Sequence, residues 1–171
     1  FGQSSSNINR YFCKSVRLAN KITYIGNYAF NYCKALVSVA LPKSVTDVRT
    51  YAFGNGIPLQ CVVYPSDCVT IGNGATASDN ILRIVSFPYS CNLGNAQFYS
   101  DQCVEYCTIP YTSTEIVNEL FRGVRANKKI AIPKSVTTIN DNAFTDSYFE
   151  RIFDFSSHSS VPSLSNTNAF N

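Results

Sequence analysis

The sequence predicts a solenoid of the α/β right-handed superhelix class. About six to seven coils of ~23 residues should stack, each adding one short strand to a parallel β-sheet, with little helix. Three observations predict it. First, the stretch Val39-Ala-Leu-Pro-Lys-Ser-Val-Thr-Asp-Val-Arg-Thr-Tyr-Ala-Phe53 returns as Ile130-Ala-Ile-Pro-Lys-Ser-Val-Thr-Thr-Ile-Asn-Asp-Asn-Ala-Phe144. It also occurs, in weaker form, as Val16-Arg-Leu-Ala-Asn-Lys-Ile-Thr-Tyr-Ile-Gly-Asn-Tyr-Ala-Phe30. Second, prolines at 42, 65, 88, 110 and 133 are spaced by 23, 23, 22 and 23 residues. Third, an aromatic plug keeps the same beat at Phe30, Phe53, Phe98, Phe121, Phe144 and Phe170, with Thr76 in phase but not in type. The last plug interval is 26, which puts extra residues near 156–165.

The chain divides accordingly. Residues 1–15 are a leader or partial coil, since the first ten are rich in Ser, Asn and Gln and carry no period. Residues 16–171 form one solenoid, and 156–171 are its closing coil. The strands are expected at Val16-Arg17-Leu18, Val39-Ala40-Leu41, Val62-Val63-Tyr64, Val85-Ser86-Phe87, Cys107-Thr108-Ile109, Ile130-Ala131-Ile132 and Phe153-Asp154-Phe155. Their outer residues are apolar and the middle one is often small or polar, a period of two with one face inward. Every coil runs in the same direction, so the strands pair in parallel and the rest of each coil is crossover. Each proline fixes φ and lacks an amide donor, so it ends the strand and turns the chain.

The crossovers carry a second apolar step at Ile22, Val45, Cys68, Cys91 and Val136, and a third at Ile25, Val48, Ile71, Ile116 and Ile139. The segment Ile116 to Leu120 is the most helix-like. Elsewhere Gly26, Gly72 and Gly74 argue for turns. Residues 66–128 drift furthest from the pattern while keeping its phase, which predicts irregular crossovers on an unbroken ladder. The plug rings should lie inward in one column.

Composition limits the function. With 45% hydrophobic and 13% aromatic residues the chain can bury a core. A net charge of +3 with no basic run beyond Lys128-Lys129 gives no footing for nucleic acid. No apolar stretch approaches the ~20 residues of a membrane span. No Met or signal peptide opens the chain, so it is expected to be a processed or trimmed piece. The spacing of the seven cysteines suits no metal: Cys103-Val-Glu-Tyr-Cys107 has no second pair, and His158 sits alone in Ser-Ser-His-Ser-Ser. They read as mostly free, buried thiols. No nucleophile–base pair and no phosphate loop is present, and no cofactor is expected; the chain reads as non-catalytic.

The repeats resemble the BspA-like leucine-rich repeats, whose coils run roughly Val-x-Leu-Pro-x-Ser-Val-Thr-x-Ile-Gly-x-x-Ala-Phe-x-x-Cys-x-x-Leu. The match is close at Ile22-Thr-Tyr-Ile-Gly-Asn-Tyr-Ala-Phe-Asn-Tyr-Cys-Lys-Ala-Leu36 and over 130–144, and rests on spacing between 66 and 128. The resemblance implies a leucine-rich-repeat solenoid. It further implies a secreted or cell-surface protein whose adhesin-like repeats contact a partner protein, such as a host matrix or surface protein. The alternative is an architectural spacer that carries another domain.

Such a module would bind through the solvent face of its strands. One row there is Arg17, Ala40, Val63, Ser86, Thr108, Ala131 and Asp154; the other is Ser15, Ser38, Cys61, Ile84, Tyr106, Lys129 and Ile152. Both are small or polar at their ends, and the apolar residues gather in the centre. The candidate platform is therefore Cys61, Val63, Ile84, Ser86, Tyr106, Thr108 and Lys129, an apolar cluster with a polar rim. The competing reading is that strands simply favour β-branched and aromatic residues. The residues around 156–165 should fold as a polar lid over Phe153-Asp154-Phe155, leaving a monomer.

Overall fold

A computed structural model describes residues 12–77, 81–100, 104–126, 130–149, 162–165 and 168–170 of the chain. Among the described residues fourteen short strands run in chain order: Ser15–Arg17 (β1), Tyr24–Ile25 (β2), Ser38–Ala40 (β3), Asp47–Val48 (β4), Cys61–Val63 (β5), Thr70–Ile71 (β6), Ile84–Ser86 (β7), Asn92–Leu93 (β8), Tyr106–Thr108 (β9), Glu115–Ile116 (β10), Arg125–Ala126 (β11), Thr138–Ile139 (β12), Tyr148–Phe149 (β13) and Ser163–Leu164 (β14). All the pairs among them are parallel and join one coil to the next. The molecule is a β-solenoid.

The front of the solenoid carries five of the seven expected strands in two sheets, β1-β3 and β5-β7-β9, whereas Ile130 to Ile132 form no strand beyond a single bridge at Ala131, although Ile130 and Ile132 are buried. Each strand begins one residue earlier than its apolar triplet, but the facing is as expected. Val62, Tyr64, Val85, Phe87, Cys107 and Ile109 are buried, while Val63 between them is exposed. The ladder through the drifting middle is continuous from β5 to β9, and it is interrupted between β3 and β5.

The crossovers hold a second sheet that the triplets did not reveal. Here β2-β4-β6-β8 form one ladder and β10-β12-β14 another, and β11 pairs with β13 behind the plug. The repeated Pro-x-Ser-x-Thr stretch explains this side. Four of the five periodic proline carbonyls accept from the amide three residues on, as Val45 N to Pro42 O and Val136 N to Pro133 O, both 3.0 Å; Pro88 makes no such bond to Cys91. The chain then turns, and the Ser and Thr hydroxyls staple each coil to the one before. Ser44 donates to the Ile22 carbonyl at 2.7 Å, Ser135 to Tyr111 at 2.6 Å, and Thr137 to Thr114 at 3.2 Å.

The expected helical turn over Ile116 to Leu120 is not formed: Glu115–Ile116 is a strand, and the residues after Val117 are turns. The backbone gives the reason. Two residues before each plug position from Phe30 to Phe144 the chain is left-handed: φ is 56° at Tyr28, 49° at Tyr51, 57° at Gly74, 56° at Ala96, 57° at Glu119 and 55° at Asn142. A left-handed residue inside the segment stops helix propagation in each coil. Helical conformation among the described residues is confined to Phe12.

The plug rings form the core. Phe30, Phe53, Phe98, Phe121 and Phe144 are buried. Phe30 stacks on Phe53 at 5.4 Å, and Phe98, Phe121, Phe144 and Phe170 follow at 5.4, 5.5 and 5.1 Å. Phe170 differs from the others: it is 53% exposed. Each ring is fixed by its own amide, which donates to the next coil, as Phe53 N to Ala75 O at 2.8 Å.

Thr76 interrupts the column and a polar staple replaces the ring. Its buried hydroxyl donates to the Gln97 carbonyl at 2.9 Å, and the buried Gln97 carboxamide donates to the carbonyls of Gly72 at 2.7 Å and Gly94 at 3.0 Å. These coils approach closely: a Cβ on Gly94 would lie 2.5 Å from the Asn73 amide.

The closing coil also departs from expectation. Ser163–Leu164, placed by sequence in a polar lid, is strand β14, which continues the rear ladder beside β12. The front strand expected at Phe153 to Phe155, and residues 156–161 of the lid, lie outside the described residues.

Candidate functional site

The candidate platform is the solvent side of β5-β7-β9. Strand alternation points the outer residues of each three-residue strand to solvent and the middle one to the core. The register then fixes the rows: Cys61 beside Ile84 beside Tyr106, and Val63 beside Ser86 beside Thr108. Cys61 is exposed, Val63 is 57% exposed, Ile84 41% and Tyr106 55%. Ser86 and Thr108 are half-buried. Thr108 is tied back, since its hydroxyl accepts from the Phe87 amide at 2.9 Å. The structure thus brings six of the seven predicted residues onto one face; Lys129 lies outside the described residues. One rim is charged, where Arg83 pairs with Glu105 in the next coil.

Two residues of this face were missed by sequence reasoning. Tyr89 and Tyr111 directly follow Pro88 and Pro110, and their rings stack at 5.1 Å while staying 68% and 54% exposed. The signal was a Pro-Tyr pair in each of two neighbouring coils, where the equivalent residues elsewhere are Lys43, Ser66 and Lys134. Tyr89, Tyr106, Tyr111 and Lys134 help line a cleft of about 560 Å³ that opens beside the platform. The arrangement offers an aromatic wall and a cation on a hydrogen-bonded support.

The thiols are partly as expected. The six described cysteines are free. Only Cys68 and Cys107 are fully buried, while Cys13, Cys33 and Cys91 are half-buried and Cys61 is exposed, because it faces outward at a platform position. Loss of hydration on burial pushes the Cys68 thiol up to about 11 and the Cys91 thiol up to about 12, the latter also through the neighbouring Cys68. It pushes Cys107 well above the ordinary thiol range. A maleimide at pH 7 should therefore label Cys61 first in the folded protein, with Cys68 and Cys107 reacting only after denaturation. Peptide mapping of the adducts reads this directly. The same shifts carry a stability consequence. The unfolded thiols ionise near the ordinary value of 9.0 and the folded ones only at about 11 to 12, so stability is full below pH 9 and falls as pH rises above it. Among the described residues no cluster of His, Cys, Asp and Glu is arranged to hold a metal ion, and no helix is long and apolar enough to cross a membrane.

The family model for BspA type leucine rich repeat regions matches six copies, over residues 6–99 and 91–171. The chain belongs to the BspA-type leucine-rich repeat family. Two solved structures share the fold of this BspA-type domain. A leucine-rich repeat protein from T. pallidum is 20% identical with a TM-score of 0.63; the match covers 88% of this chain and 59% of that one. A leucine-rich repeat protein from Bacteroides ovatus is 18% identical with a TM-score of 0.62, covering 85% and 44%. The BspA-type domain thus spans roughly half the length of these solved relatives. No curated protein matches it in sequence.

Proposed function

We propose that this BspA-type domain is a non-catalytic protein-binding module of a secreted or cell-surface protein, acting in adhesion or host interaction. It docks through the front of β5-β7-β9 as a monomer. The observation that carries the reading is the apolar cluster of Ile84 and Tyr106 in one row and Val63 in the other, exposed on adjacent strands of a hydrogen-bonded ladder and flanked by the Tyr89–Tyr111 stack. Contiguous apolar surface of this kind with a polar rim favours a macromolecular contact. Tyrosines supply large contact areas at small entropic cost, which is why they anchor interfaces. The ladder holds the row without any partner, so little ordering is left for the moment of binding. The family's association with surface-displayed and secreted proteins supports the localisation.

The test is a solid-phase assay of the purified domain on immobilised fibronectin, laminin and collagen. Saturable binding to at least one of them is expected. Absence of binding to all three would overturn the matrix reading and favour the domain as a spacer.

A further inference from the structure

The rear ladder is broken at one place. Every other consecutive pair of rear strands is hydrogen-bonded, but β8 and β10 are not. No Cα atom of β8 lies within 8 Å of one in β10. Paired strands run ~4.8 Å apart, so two strands with one missing between them would be separated by roughly 10 Å. The coils nevertheless stay together elsewhere. Phe98 stacks on Phe121, the Ala96 amide donates to Asn118 at 3.0 Å, and β7 pairs with β9 in front. The opening is therefore local, and it forms a groove of about 550 Å³ bounded by Cys91, Leu93, Ser113, Thr114, Glu115 and Val117.

Both walls of the groove carry unmade ladder bonds. In the next step of the solenoid the Thr138 amide donates to the Thr114 carbonyl at 3.3 Å and the Asn140 amide to Ile116 at 3.0 Å. By the same register the Glu115 amide would donate to Cys91 and the Val117 amide to Leu93. Neither bond is made. The Asn92 and Gly94 amides face β6, donating to Val69 and Ile71 at 2.7 Å, so Leu93 between them turns its amide and carbonyl into the groove. Backbone groups left without partners in this way are the template for adding a strand.

We infer that this groove is a strand-addition site that takes an extended segment of a separate polypeptide. The segment completes one rear sheet from β2 to β14. It accepts from the Glu115 and Val117 amides on one side and donates to the Cys91 and Leu93 carbonyls on the other. Three residues would span the walls, a length of roughly 10 Å. The side chains of the walls set its character: Leu93 and Ile116, in the inward row of the rear ladder, favour an aliphatic residue on the inward face, and the exposed Glu115 favours a Lys or Arg on the outward face. The site lies on the crossover side, away from the front platform, and does not depend on it.

The probe is the acetylated, amidated heptapeptide Thr-Val-Thr-Val-Lys-Val-Thr, and the readout is residue-resolved amide exchange of the whole chain. In the free protein the Leu93, Glu115 and Val117 amides should exchange fast while those of Thr138 and Asn140 exchange slowly. Saturating peptide should slow the first three by at least about tenfold, the equivalent of ~1.4 kcal/mol. The same peptide N-methylated at its valines should have no effect, and changing Ile84 and Tyr106 to Lys should leave peptide binding intact. Slow exchange of the three amides in the free monomer would overturn the proposal, because the chain itself would already fill the groove. Protection that appears only with dimerisation would assign the groove to a second copy. No protection at millimolar peptide, or peptide binding that spares these amides, would equally overturn it.

Discussion

Replacing Phe53 by alanine should destabilise the domain by about 3–5 kcal/mol, a large share of the stability of a domain this size. Phe53 is fully buried, stacks on Phe30, and lies next to Thr76, where the column has no ring. Its loss would leave a cavity with no aromatic neighbour on one side to relax into it. In a one-dimensional stack each coil depends on its neighbours, so the first two coils should loosen with it. Denaturant unfolding gives the size of the effect. Amide exchange gives its reach: protection should fall around Phe30 more than around Phe144. The matching change at Phe170, Phe170→Ala, should cost much less, since Phe170 is half exposed.

Changing Ile84 and Tyr106 together to lysine should abolish binding to the matrix protein that the wild type captures, and leave the melting temperature within a few degrees. Both side chains project to solvent from neighbouring strands, and the inward residues that hold those strands, Val85 and Cys107, are untouched. Two adjacent charges on an apolar contact face are costly to desolvate. An exposed lysine on a strand costs at most ~1 kcal/mol in strand preference. Cooperative unfolding by the double change would mean that these residues are core. Unchanged binding would move the contact away from this face.

The periodic part of the fold was legible in the sequence because each coil solves the same packing problem with the same residues. Proline at a strand end and phenylalanine at the plug each have a local physical task, and the spacing gave their places; the serine and threonine staples emerged only from the structure. The rear sheet was not legible. Its strands are two residues long, as in Thr70–Ile71, and give no alternation to count. The left-handed residues were equally hidden: tyrosine, alanine and glutamate fill positions where glycine or asparagine would have signalled the turn. That is why Ile116 to Leu120 read as helix. Of the candidate site, the two rows followed from strand alternation alone. Tyr89 and Tyr111 did not, because their contact is made across coils, 22 residues apart in sequence.

Photo-crosslinking from single positions tests the central claim most directly. A benzophenone amino acid is placed at Tyr106 on the front platform or at Tyr24, which is 56% exposed on the rear strand β2. Each protein is irradiated on the matrix protein that the wild type binds. Docking through the proposed front platform predicts covalent adducts from position 106 and none from position 24. Adducts from position 24 alone, or from neither, would contradict it.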